Sequence, residues 1–221
     1  MEATSNPRVK ICCISDLQEA WLAIRSGASA LGLVSDMPSG PGIISERMIA
    51  EIAAAVPPGV SSFLLTSERD AGRIIAQVKR ARVNTVQICD RLESGSFGDI
   101  REALPGVSIV QVIHVAGEAS IAEAVSLGSQ ADAVLLDSGN PALRVKELGG
   151  TGRTHDWSVS RKIREQLEIP VFLAGGLTPE NVHSAIREVG PFGVDVCSGV
   201  RTGGRLDDMK LGAFFSNIRR T

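Results

Sequence analysis

The stretch "VKICCISDLQEAWLAIRSGASALGLVS" (residues 9–35) contains one complete structural sentence. It opens with a short apolar run, "VKICCI" (9–14), of the kind that forms a strand buried on both faces. Asp16 then stands where a helix cap belongs, ahead of "LQEAWLAIRSG", which stops at Gly27. A second apolar run, "ALGLVS" (30–35), follows at once. Strand, helix, strand is the unit that builds a parallel sheet with right-handed crossovers.

Reading outward, the unit recurs. Further strand-like runs are "SSFLLT" (61–66), "TVQIC" (85–89), "SIVQVIHV" (108–115), "AVLLDS" (133–138), "VFLAGG" (171–176) and "GVDVCSG" (193–199), eight in all. Between them lie helical patterns: "SERMIAEIAAAV", which stops before Pro57-Pro58, then "SERDAGRIIAQVKRA", "FGDIREAL", "ASIAEAVSLG", "DWSVSRKIREQL" and "TPENVHSAIREV". In the last of these, Pro179 sits just inside the expected start, where its missing N–H costs nothing. "DDMKLGAFFSNIRR" supplies a final helix. Eight alternations in 221 residues predict a single-domain (β/α)8 barrel of the α/β class, residues 9–221, behind a polar N-terminal tail, residues 1–8. The rival, a doubly wound open sheet, normally uses fewer strands, and no glycine-rich dinucleotide fingerprint follows the first run.

Composition narrows the function. A net charge of -2 gives no basic field to attract nucleic acid or a membrane surface, though a local electropositive pocket for a phosphorylated small molecule is compatible with it. The N-terminus lacks a secretory pattern and no apolar stretch approaches a membrane span. Cys12, Cys13, Cys89 and Cys197 lie in apolar runs without CxxC spacing, and His114, His155 and His183 are scattered. These features predict reduced thiols in a cytoplasmic protein and no metal site.

In such a barrel the chemistry sits at the C-terminal ends of the strands. Strict alternation puts Cys12 with Lys10 toward the barrel interior, and Cys13 with Val9 and Ile11 toward the helices. Cys12 is therefore the chemical candidate, while Cys13, Cys89 and Cys197 read as small buried hydrophobes. Asp137 closes an apolar run at the catalytic end, where an aspartate either caps the next loop or works on substrate. Gly175, Gly176, Ser198 and Gly199 follow the seventh and eighth runs, where this fold commonly binds phosphate. "GGTGRT" (149–154), with Gly150, Thr151, Gly152 and Arg153, reads as a substrate loop.

"KIC" (10–12), "LLDS" (135–138), "GGTGRTHDW" (149–157), "LAGGLTPENV" (173–182) and "GVDVCSGV" (193–200) together resemble the phosphoribosylanthranilate isomerase family. The resemblance implies a cofactor-free enzyme of tryptophan biosynthesis. It would act on a small phosphorylated sugar-type substrate, as a monomer or homodimer, and carry out an Amadori rearrangement. It implies Asp137 as general acid, Cys12 as general base, and a substrate phosphate on Gly175, Gly176, Ser198 and Gly199. The chain departs from the family pattern in places. Cys13 stands where glycine is usual, and Gly42 where an arginine usually holds the anthranilate carboxylate. Cys89 and Asp90 end the fourth run, Arg201 replaces a glutamate, and Leu206 replaces a lysine. Arg153 and Arg201 are then the cations left to meet a carboxylate. Two other readings stay open: an aldose–ketose type isomerase of a different phosphorylated sugar or aminosugar, and a non-catalytic phosphate-binding paralogue.

Overall fold

A computed structural model describes residues 6–139, 143, 145–149 and 152–219. Eight parallel strands close into a barrel in chain order: β1 (Arg8–Ile11), β2 (Ala30–Val34), β3 (Ser61–Thr66), β4 (Thr85–Ile88), β5 (Ser108–His114), β6 (Ala133–Asp137), β7 (Val171–Leu173) and β8 (Gly193–Val196). The pairing of β1 with β8, Lys10 opposite Asp195 and Ile11 opposite Val196, is the closure that an open sheet lacks. The sheet is wrapped by α1 (Leu17–Ser26), α2 (Glu46–Ala55), α3 (Ala71–Ala81), α4 (Phe97–Ala103), α5 (Ala119–Gly128), α6 (Trp157–Gln166), α7 (Val182–Val189) and α8 (Asp208–Ile218). No helix among the described residues is long and apolar enough to cross a membrane.

The opening stretch folds as its residues dictate. Asp16 accepts a hydrogen bond from the Glu19 amide at 2.8 Å, which satisfies one of the orphan donors of α1. Gly27 ends the helix in the left-handed conformation at φ 113°. Two helix starts differ from the sequence reading. α3 begins at Ala71 rather than near Ser67, the start of the helical pattern, because Asp70 caps it by accepting from the Arg73 amide at 2.9 Å. α7 begins only at Val182. The preceding residues form a turn in which Asn181 Oδ1 accepts from the Thr178 amide, so Pro179 sits in the turn and not in the first helical turn. A short hairpin, β9 (Arg201–Thr202) with β10 (Arg205–Leu206), was not anticipated, although Gly203-Gly204 is a turn signal.

The apolar side chains fall into two groups. The larger lies between sheet and helices and includes Ile11, Leu31, Leu64, Ile113, Leu136 and Phe214. The smaller fills the barrel interior with Phe63, Phe172, Val110, Leu135 and Cys12. Phe63, Phe172 and Phe192 meet edge to face, with centroids 5.9 and 5.5 Å apart. Cys12 and Leu135 of this inner group also line the cavity at the C-terminal end of the barrel.

Candidate active site

A cavity opens at the C-terminal ends of the strands. Its lining includes Cys12, Asp137, Asp195, Gly175, Gly176 and Ser198. Its floor is a buried ion pair. Lys10 Nζ lies 3.0 Å from Asp195 Oδ2, and Lys10 is fully buried. Burial opposes the charge on Lys10, but the Asp195 carboxylate outweighs it and holds the ammonium above its ordinary pKa. The Phe63 ring, 5.4 Å away, adds a cation–π contact. Gly32 makes room for this arrangement: a Cβ there would stand 2.8 Å from Cys12 Sγ and 3.0 Å from Lys10 Nζ. Lys10 and Cys12 therefore share the interior, as alternation predicts. Sequence reasoning missed the partner, although opposite charges inside the first and last strands of a closed barrel are a readable signal.

Asp137 enters from the far wall, three strands round from β1, and is 7% exposed. Its Oδ1 accepts from the Ser138 amide at 2.8 Å, which fixes the carboxylate. Its Oδ2 lies against Gly149, where a Cβ would stand at 2.9 Å. Burial holds His155, beside Gly175, below its ordinary pKa despite the pull of Asp137.

Cys13 departs from the expected orientation. Its backbone is left-handed at φ 62°, so the two-residue alternation that placed it on the helix side ends one residue too early. The side chain turns over the rim of the cavity instead. Its Sγ lies 2.8 Å from Cys197 Sγ and 3.6 Å from the Pro41 carbonyl oxygen. This conformation gives a physical reason for a glycine at position 13. It also accounts for Gly42, where a Cβ would fall 2.4 Å from Cys13 Cβ. The two positions exclude each other's side chains.

Gly175 and Gly176 are both left-handed, at φ 83° and 60°. A Cβ on Gly176 would press on the backbone of Arg153 at 2.6 Å, and one on Gly199 would meet the Leu177 carbonyl oxygen at 2.0 Å. The loops after β6, β7 and β8 thus interlock backbone to backbone. Gly152 lines the cavity, Arg153 is exposed and pairs with Glu147, and Gly150 and Thr151 lie outside the described residues.

Arg201 is placed elsewhere than the sequence suggested. Its guanidinium pairs with Glu19 at 3.0 Å and donates to the Cys13 carbonyl at 2.6 Å and the Cys12 carbonyl at 3.2 Å. It is not among the cavity-lining residues. Glu19 also accepts from the Leu206 amide at 2.9 Å. Burial tends to raise the Glu19 pKa, but Arg201 and these amides outweigh it and hold the carboxyl below its ordinary 4.5. Asp90 likewise finds a structural use: it pairs with Lys146, whose own carbonyl accepts from Ser39 Oγ at 2.6 Å. This ties the loop after β6 to β4 and to the loop after β2. Among the described residues no group of three or more His, Cys, Asp and Glu could hold a metal ion.

A closed eight-stranded barrel, with a thiol and a carboxylate facing one cavity at its C-terminal end, defines the class as a (β/α)8 barrel enzyme. The model of the N-(5'-phosphoribosyl)anthranilate isomerase family matches residues 9–217, and the chain belongs to that family. It is 35% identical over 215 residues to the N-(5'-phosphoribosyl)anthranilate isomerase of Methanocella arvoryzae, covering 97% of this chain and 99% of that one. A solved phosphoribosyl anthranilate isomerase in complex with reduced 1-(o-carboxyphenylamino)-1-deoxyribulose 5-phosphate superimposes with a TM-score of 0.78 at 29% identity, covering 97% of this chain and all of that one. Monomers of the dimeric isomerase from Thermotoga maritima superimpose equally, TM-score 0.78 at 27% identity, again covering 97% of this chain and 100% of that one.

Proposed function

We propose that the chain converts N-(5'-phosphoribosyl)anthranilate to 1-(2-carboxyphenylamino)-1-deoxyribulose 5-phosphate in tryptophan biosynthesis, without a cofactor. One observation carries the mechanism: Cys12 and Asp137 face the same cavity from opposite walls, next to the interlocked loops after β7 and β8. Asp137 protonates the furanose ring oxygen, and the C1'–O bond breaks to leave a Schiff base. Cys12 removes the C2' proton to give an enolamine, which tautomerises to the ketone. Lys10 supplies a fixed positive charge beneath the base. The phosphate lies on the backbone of Gly175, Gly176, Ser198 and Gly199, where glycine allows close approach.

Of the two cations considered for the anthranilate carboxylate, Arg153 is our choice. It stands on the exposed loop after β6, next to cavity-lining Gly152, and its pair with Glu147 is solvent-exposed, whereas the Arg201–Glu19 pair is buried. The physiological partners of this reading are the phosphorylated substrate and, at most, a second copy of the chain. The four free thiols fit a cytoplasmic location.

The test is complementation of a tryptophan auxotroph lacking this isomerase, followed by a fluorescence assay of anthranilate-substrate loss. Growth and turnover support the reading. Absence of both, with turnover of another phosphorylated aminosugar, selects the alternative isomerase, which the closed position at Gly42 also accommodates.

A further inference from the structure

We propose that Cys13 and Cys197 form an oxidisable dithiol, which a hydroperoxide converts to a disulfide joining the ends of β1 and β8 at the rim of the cavity. The inference stands on thiol chemistry and holds whatever substrate the cavity takes.

Three features of the fold carry it. The Sγ atoms are already 2.8 Å apart, well inside the contact distance of two non-bonded sulfurs, and a covalent bond requires about 0.8 Å more approach. The backbones are suitably spaced, because β1 and β8 are hydrogen-bonded neighbours in register through Ile11 and Val196, and the Cys12 amide still donates to the Val196 carbonyl. Adjacent strands lie about 4.7–4.9 Å apart, within reach of a disulfide. Finally, the left-handed backbone at Cys13 aims its thiol along this edge, and Gly42 leaves the space it occupies.

Sulfur-to-sulfur contact separates this pair from Cys12, and reactivity separates it from Cys89. Cys197 is partly exposed and lines the cavity, so a small peroxide reaches it from solvent. Its hydrogen bond with Cys13, against the effect of burial and with help from Arg201, keeps its pKa below the ordinary thiol value. Cys13 is held high, first by its hydrogen bonds with Cys12 and Cys197 and then by burial, and so retains its proton. Burial pushes Cys89 up to about 12, which leaves it inert.

The chemistry balances. The Cys197 thiolate attacks a peroxide oxygen, the O–O bond breaks, and the departing hydroxide takes a proton to become water. The resulting sulfenic acid is attacked by the Cys13 sulfur. The S–O bond breaks, Cys13 loses its proton, and a second water leaves. Two thiols are oxidised and one hydrogen peroxide is reduced to two waters. The new bond draws the chain at Cys12 toward the turn at Ser198–Gly199, so turnover falls at least tenfold and returns when dithiothreitol reduces the bond.

The experiment treats the reduced full-length protein with hydrogen peroxide, alkylates the remaining thiols, and maps tryptic peptides 11–25 and 188–201 by mass. The expected product is those two peptides joined with loss of two hydrogens, in the wild type and in Cys12→Ser but not in Cys13→Ser or Cys197→Ser. Peroxide should cost Cys197→Ser less than twofold of its own untreated activity. Four alkylated thiols after treatment, oxygen added to single cysteines without a join, or a join that survives Cys13→Ser would each overturn the proposal. Equal inactivation of Cys197→Ser would overturn the link to turnover. If the variants fail to fold, fragmentation between Cys12 and Cys13 in the joined wild-type peptide locates the bond.

Discussion

On the β7–β8 side of the cavity, the contacts that fix the loops run from backbone to backbone. A Cβ on Gly199 would fall 2.0 Å from the Leu177 carbonyl, and one on Gly176 would press on the chain at Arg153. On the β1–β2 side the contacts are between side chains: Cys13 with Cys197, Arg201 with Glu19, Cys13 filling the space over Gly42. A backbone contact cannot be relieved by choosing another residue, whereas a side-chain contact can be exchanged together with its partner. The β7–β8 side is therefore the less tolerant of substitution, and on the β1–β2 side the residues are coupled in pairs. Cys13 goes with Gly42, and Arg201 with Glu19.

The largest effects should come from the two groups that face each other across the cavity. We expect Cys12→Ser and Asp137→Asn each to lower kcat by about 10²–10⁴-fold, the usual worth of a positioned acid or base, with little change in the affinity of a phosphate ligand. Single-turnover kinetics of Asp137→Asn near the wild-type rate would remove it from the chemistry.

Next comes Arg201→Ala, which leaves Glu19 buried without its cation and strips donors from the Cys12 and Cys13 carbonyls. Breaking a buried pair from one side costs about 3–5 kcal/mol, so the denaturation midpoint should fall sharply. A carboxylate-contact role for Arg201 would instead raise KM for the anthranilate substrate while leaving stability unchanged. The same pair has a pH signature. Glu19 has its pKa depressed by folding, so its stabilisation is full above its ordinary 4.5 and is lost as pH falls through the lower folded value. In urea titrations the wild type's advantage over Glu19→Gln should shrink below about pH 4.5; an advantage that grows on acidification would contradict the pairing.

On the backbone side, Gly199→Ala forces the β7 and β8 loops apart. We expect a stability loss of about 1–3 kcal/mol, the usual cost of overpacking, together with weakened phosphate binding. If stability and phosphate affinity both stay at wild type, the interlock is not what holds that end.

How much of this could be read from the chain depends on the range of each interaction. The eight runs and their order were legible because strands buried on both faces and capped helices are written in contiguous residues, as at 9–35. The placement of Cys12 and Asp137 at strand ends followed from the same pattern. The orientation of Cys13 was not legible, because alternation presumes an extended backbone and fails at φ 62°. The partner of Arg201 was hidden for a different reason: Glu19 is 182 residues away and meets it only when the barrel closes. The Lys10–Asp195 floor lies between these cases, since both charges stand out in apolar strands but only the β1–β8 pairing joins them.

The smallest effect, and the sharpest test of the exchange between side chains, is Cys13→Gly. A left-handed non-glycine residue costs about 1–2 kcal/mol of backbone strain, which glycine removes. Against that stand the lost burial of the thiol, a cavity at the rim, and the extra chain entropy of glycine. These terms nearly cancel, so stability should move by less than about 1 kcal/mol in either direction and turnover should survive. The substitution also opens the space over Gly42, whose Cβ position is blocked first by Cys13 Cβ. Gly42→Arg alone should therefore disrupt the rim, while Cys13→Gly with Gly42→Arg should recover most of the loss, because the arginine then has a place to stand. Gly42 itself is left-handed at φ 82°, so some strain remains in the double variant. A double variant as damaged as Gly42→Arg alone would show that the two positions are not coupled through the contact between them, and the β1–β2 side would then be as rigid as the β7–β8 side.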